Sequence, residues 1–191
     1  MLLSVLKSLK RLAAQPGERR LHIGGVVRAE GWEILNALPG PAVDHEGDAA
    51  DLRRFPDATF AALYSSHVLE HLDFTGALQS GLREWCRVLV PGGRLYVSVP
   101  DLAVLAQLFL TEGMTSEQRF MLVRMILGGH IDEHDYHRMA FDFDLLAMFL
   151  REAGFVDIER VTDFGLFDDT SRLVYAGVPI SLNLTARRPG G

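Results

Sequence analysis

The stretch "ALQSGLREWCRVLVPGGRLYVSVPD", Ala77 to Asp101, decides how this chain folds. Leu78, Leu82, Trp85, Val88 and Leu89 recur at helical spacing, so one side of an amphipathic helix is apolar. Pro91-Gly92-Gly93 then forces a turn, "RLYVSV" alternates as a strand, and Pro100-Asp101 ends it. The segment just before, "FAALYSSHVLEHL" (Phe60 to Leu72), begins as a strand over Ala61 to Tyr64. It passes through a polar turn at Ser65-Ser66 and becomes helical. Strand, helix and strand in that order make the unit from which parallel sheets are built.

Working outward, "RLHIGG" reads as a short buried strand stopped by a glycine pair. "WEILNAL" is a second apolar run, closed by Pro39-Gly40-Pro41. Downstream the pattern predicts helices from Leu102 to about Leu110 and from Ser116 to about Leu127, then the polar, histidine-rich insert "GGHIDEHDYHRMAFD". "FDLLAMFLREAGF" is an amphipathic helix stopped at Gly154, "VDIERVTD" a strand leaving it. "LVYAGV" and "SLNLTARR" are extended runs expected to complete the sheet. The fold class is therefore α/β: a mostly parallel central sheet with an antiparallel C-terminal edge and helices on both faces. Ligands bind such sheets beyond the carboxyl ends of the strands, which directs attention to the residues just after each one.

With 191 residues the chain has room for one such domain. The division is an N-terminal amphipathic helix over residues 1–17, then a single domain over 18–191 with a helical, histidine-rich lid insert at about 102–140. The first segment, "MLLSVLKSLKRLAAQ", spaces Leu2, Leu6, Leu9 and Leu12 around Lys7, Lys10 and Arg11, as a helix packed on the domain or on a second subunit would. It lacks the charged start of a signal peptide, and no apolar run approaches the length of a spanning helix. A net charge of -6 argues against a nucleic-acid partner, and one cysteine, Cys86, allows no internal disulfide. A cytoplasmic protein is the expectation, with a homodimer as its candidate assembly.

The strand ends, His22 to Gly25, Asn36, Asp44 to Asp48, Ser65 to His71 and Pro100-Asp101, resemble in succession those of the class I S-adenosylmethionine-dependent methyltransferases, in particular the small type 11-like group. "FAALYSSHVLEHL" and "LREWCRVLVPGGRLYVSVPD" carry the resemblance, which covers roughly residues 20–160. It implies a Rossmann-like methyltransferase fold, S-adenosylmethionine as cofactor and S-adenosylhomocysteine as product. Carried over by position, Gly24 and Gly25 lie under the methionine part of the cofactor, with His22 in the place of the loop's acidic residue. Asn36 stands where the family has a carboxylate on the ribose hydroxyls. Asp48 and Ala49 lie by the adenine, and Ser66 and His67 face the methionine end. The chain departs from the family in keeping two adjacent glycines instead of three spaced ones, in replacing the following helix by "VVRAEGW", and in the neutral Asn36.

The reaction implied is transfer of a methyl group to an oxygen or nitrogen of a small-molecule or glycan-type acceptor. An in-line displacement needs alignment and dryness, and a base only for a hydroxyl or protonated amine. His137, with Asp135 to orient it and Tyr136 as an aromatic wall, is the expected catalytic group. No metal is expected. A degenerate relative serving as a non-catalytic interaction subunit is the competing class.

Overall fold

The computed structural model describes residues 18–191, so the expected N-terminal helix lies outside the described residues. Its centre is a seven-stranded sheet in the order β3-β2-β1-β4-β5-β9-β6. The strands are β1 (Arg19–Ile23), β2 (Glu33–Asn36), β3 (His45–Glu46), β4 (Phe60–Ser66), β5 (Leu89–Pro100), β6 (Val156–Val161) and β9 (Ser181–Arg187). β1 pairs in parallel with β2 and β4, β2 with β3, and β4 with β5. β9 runs antiparallel to both β5 and β6, so the antiparallel strand lies one place in from the edge. "LVYAGV" does not join this sheet: β7 (Val174–Tyr175) and β8 (Val178–Pro179) form a separate hairpin. Ala176 and Gly177 both take positive φ there, and a tight turn of this kind folds the short run on itself.

The Pro-Gly-Gly segment lies within β5, not between elements. Phe60 pairs with Leu89 and Ala62 with Arg94, so residues 90–93 bulge out of the ladder. Gly92 takes φ of 76°, and a Cβ on Gly93 would stand 2.7 Å from the Val90 carbonyl oxygen. Both glycines are needed to make the bulge.

Strand alternation gives the sheet two unlike faces. Leu21, Ile23, Leu35, Leu63, Leu95, Val97, Leu182 and Leu184 point to the main core. There they meet Leu78, Leu82, Trp85 and Val88 of α1 (Ala77–Val88) and Leu146 and Leu150 of α4 (Phe143–Glu152). The opposite face has a thinner cover among the described residues. Trp32, Ala62 and Tyr64 form a small cluster with Tyr96, Phe164 and Phe167, the last two from the loop after β6. The absence of a helix between β1 and β2 is the reason, because "VVRAEGW" is too short to cross over that face.

A third cluster lies past the strand ends. α2 (Leu102–Phe109) and α3 (Ser116–Leu127) meet through Leu105 and Leu122, with Ile180 beneath. Asp101, 1 % exposed, caps α2 by accepting from the amides of Ala103 and Val104, and Arg160 holds its other oxygen at 2.6 Å. Thr115 and Gln118 close a capping box on α3. No helix among the described residues is long and apolar enough to cross a membrane.

Candidate functional site

Three strand ends open one cavity. β1 finishes at Ile23 and turns at Gly24, whose φ is 82° and whose amide donates to Leu35 O at 2.8 Å. A Cβ at Gly24 would overlap the Val68 side chain, so this turn needs glycine twice over. Asn36 ends β2, and its amide group donates to Gly25 O at 3.0 Å while its Oδ1 accepts from Leu38 N at 2.9 Å. The side chain thus ties the glycine turn to the next loop, with one N–H still to give. Asp48 follows β3 and turns back on itself, accepting from Ala50 N at 2.8 Å. Trp85 Nε1 donates to Ala49 O at 2.7 Å and pins this loop to α1.

The cavity has a volume of about 710 Å³, within the size range of cofactor sites. Gly24, Asn36, Asp48, Ala49 and Tyr136, all expected at the site, line it. Glu46, His71 and Arg138 line it too; the first two fall within the strand ends that the sequence singles out but have no part in the expected site, and Arg138 is not expected at all. Glu46 pairs with Asn36 across β2 and β3, so a carboxylate stands beside the neutral amide. Its signal in the sequence was its place directly before Gly47-Asp48.

Other expected residues lie elsewhere. His22 is buried on the opposite sheet face, its ring 4.8 Å from that of Tyr64 and 4.5 Å from that of Phe167. Alternation along β1 requires this, since Leu21 and Ile23 occupy the core side. Burial drives its pKa down to about 4, so it is neutral. Gly25 does not line the cavity, and a Cβ there would press on the His22 ring. Ser66 is drawn to the same face as His22, its hydroxyl 2.8 Å from that of Thr170. His67, at φ of 54°, reaches Ser181 Oγ at 3.0 Å instead of the cavity.

Of the expected trio, Tyr136 lines the cavity, whereas Asp135 and His137 do not. Asp135 does not orient His137; it accepts from Ile131 N at 3.2 Å and shapes the turn. His137 lies behind His71, with ring centroids 4.8 Å apart, and lines a small separate crevice with Glu70. His71 Nδ1 donates to Tyr136 O, and His137 Nδ1 donates to Ile126 O, each at 3.2 Å. Burial lowers the pKa of both, and the neighbouring His71 further disfavours charge on His137. Both are therefore neutral, with the lone pair on Nε2. "HVLEHL" is not the start of a long helix: only Leu69–His71 form a 3₁₀ turn, and Glu70 O accepts from the amides of Arg138 and Met139.

The mostly parallel sheet with its inserted antiparallel strand is shared with solved structures. A CurJ carbon methyltransferase superposes with a TM-score of 0.57 at 14% identity, over 97% of this chain and 52% of that one. The chain has the class I S-adenosylmethionine-dependent methyltransferase fold. Residues 33–97 match the family model described as a methyltransferase domain. A SAM-dependent methyltransferase from Archaeoglobus fulgidus matches with a TM-score of 0.56 at 15% identity, covering 97% of this chain and 93% of that one. The 1,6-didemethyltoxoflavin-N1-methyltransferase of Burkholderia thailandensis, solved with 1,6-didemethyltoxoflavin and S-adenosylhomocysteine, matches at 0.54 and 18%, over 97% and 76%. This chain spans about half the length of the CurJ protein. No curated protein matches the sequence. In this methyltransferase fold the cavity lies at the sheet end where ligands of open α/β domains bind.

Proposed function

We propose that the protein transfers a methyl group from S-adenosylmethionine to an oxygen or nitrogen of a small-molecule or glycan-type acceptor. The observation that carries this reading is the cavity joining Gly24, Asn36, Glu46, Asp48 and Ala49. These residues suit the cofactor: a glycine turn allows close approach, two neighbouring strand ends offer hydrogen-bonding groups for ribose hydroxyls, and Asp48-Ala49 edge the adenine. Glu46 supplies the negative charge absent from Asn36, and a charged acceptor grips a hydroxyl more firmly than a neutral one. The bound cofactor supplies an electrophilic methyl on a sulfonium.

What the chain itself does is align, enclose and deprotonate. His71, Tyr136 and Arg138 form the other wall of the cavity, where the acceptor would lie. Residues 133–138 cover that wall and exclude water from the displacement. The neutral His71 imidazole presents a lone pair, open to an acceptor's proton or to a cation; His137 stands behind it. Calorimetry with S-adenosylhomocysteine tests the reading. Binding at micromolar concentration, weakened by Asp48→Ala, is the expected result. No binding at millimolar cofactor overturns it in favour of a non-catalytic interaction subunit.

A further inference from the structure

Glu70 is 1 % exposed, and neither carboxylate oxygen has a hydrogen-bond partner among the described residues. Such a group is costly unless something compensates it. What surrounds it is a set of imidazoles offering no proton. Ser181 Oγ donates to Thr170 O at 2.7 Å, so it must accept from His67 Nε2–H. That leaves the His67 lone pair on Nδ1, which faces Glu70 Oε1 at 3.5 Å. His71 and His137 have likewise committed Nδ1–H to backbone carbonyls. One ligand atom each from Glu70, His71 and His137 lies within 4.8 Å of the others.

Acceptors converging on one point need a cation or a shared proton. A histidine fixed by donating its other N–H to a backbone carbonyl is also the usual support of a metal ligand. We propose that Glu70, His71 and His137 form a binding site for a divalent first-row transition metal, with Zn²⁺ the representative ion. Two imidazoles and one carboxylate suit such an ion and not Ca²⁺ or Mg²⁺, which take oxygen ligands. Metal–ligand bonds of about 2.0–2.2 Å ask the three side chains to close by about an ångström, within reach of side-chain rotation. Burial raises Glu70 to about 8 in the absence of a counter-charge, a cost that the ion would remove. Because His71 also lines the large cavity, the ion would stand at the wall where the acceptor binds, a placement resting on the methyltransferase reading.

The test is calorimetric titration of the untagged, chelator-treated chain with Zn²⁺ alone, and with Co²⁺ to read ligand type from its visible spectrum. One equivalent should bind. Glu70→Gln, His71→Gln and His137→Gln should each weaken binding by roughly 100-fold or more, as losing a direct ligand costs at least what losing its support does. His130→Ala should change nothing. Thermal melts check that each variant folds; if one does not, a Co²⁺ spectrum of mixed nitrogen and oxygen ligation in the wild type decides. No binding at millimolar Zn²⁺, or binding that survives all three substitutions, overturns the proposal. S-adenosylhomocysteine binding on the same samples separates the two readings: cofactor without metal removes only this site, and metal without cofactor removes only the methyltransferase.

Discussion

Asn36 and Glu46 end neighbouring strands in register, and on the proposed methyltransferase reading they would divide work that one carboxylate does alone. Asn36 spends its carbonyl and one N–H on the loops around the cavity, whereas the Glu46 carboxylate has no hydrogen-bond partner among the described residues, so on that reading Glu46 would hold the ribose. Glu46→Gln should weaken S-adenosylhomocysteine binding about tenfold, the difference between a charged and a neutral hydrogen bond, and an unchanged Kd by calorimetry would remove it from the site. His22 makes a different kind of prediction. Its pKa is about 4 in the folded chain, against 6.5 when unfolded. Its contribution is therefore fully present above pH 6.5, where neither state is protonated, and is lost as pH falls from 6.5 through 4 because the unfolded chain binds the proton first. His22→Phe should flatten the fall in melting temperature over that window relative to wild type, a difference of up to about 3 kcal/mol by linkage. A parallel fall in both proteins would assign the effect elsewhere.

At the scale of elements, α1 braces the Asp48-Ala49 side of the cavity. Its apolar positions bury Trp85 and Leu82, while Trp85 Nε1 holds the Asp48-Ala49 loop. Gly81 brings the helix so close to that loop that a Cβ would stand 3.0 Å from Ala50 Cα. Trp85→Phe should keep most of the packing and lose the hydrogen bond, costing about 1–2 kcal/mol in urea unfolding and loosening cofactor binding in step. A stability loss with intact cofactor affinity would separate the brace from the site. The helix and the strand after it were legible from periodicity and from the Pro-Gly-Gly signal, because both are local properties. What could not be read was which side of a strand end a side chain takes. His22, Ser66 and His67 follow the right strands, yet alternation and a positive φ at His67 turn them from the cavity. His71 was visible in "HVLEHL" but its role depends on Tyr136 O, 65 residues away along the chain.

For the whole molecule, the two sheet faces differ in how they are protected. The main core has two helices, whereas the other face relies on Phe164 and Phe167 against Tyr64, with the Tyr64 hydroxyl donating to Asp169 at 2.8 Å. Phe167→Ala should cost about 3 kcal/mol or more if this loop is the real cover, measured by denaturant unfolding. A loss below 1 kcal/mol would mean that the face is protected by something else. The parallel sheet was legible from the alternation of strands and helices. The thin cover was not, because Phe164 to Ser171 looks like an ordinary loop until the sheet beneath it is known.

The position of β9 also sets an order of events. β5 and β6 are made first, yet they never touch as neighbours; the strand that joins them is drawn from residues 181–187. Until those residues leave the ribosome, the nascent sheet carries a slot one strand wide, with unpaired backbone on both sides. Completion of the sheet, and with it a firm seat for the cap of Asp101 and Arg160, waits for residues 181–187 to be synthesised.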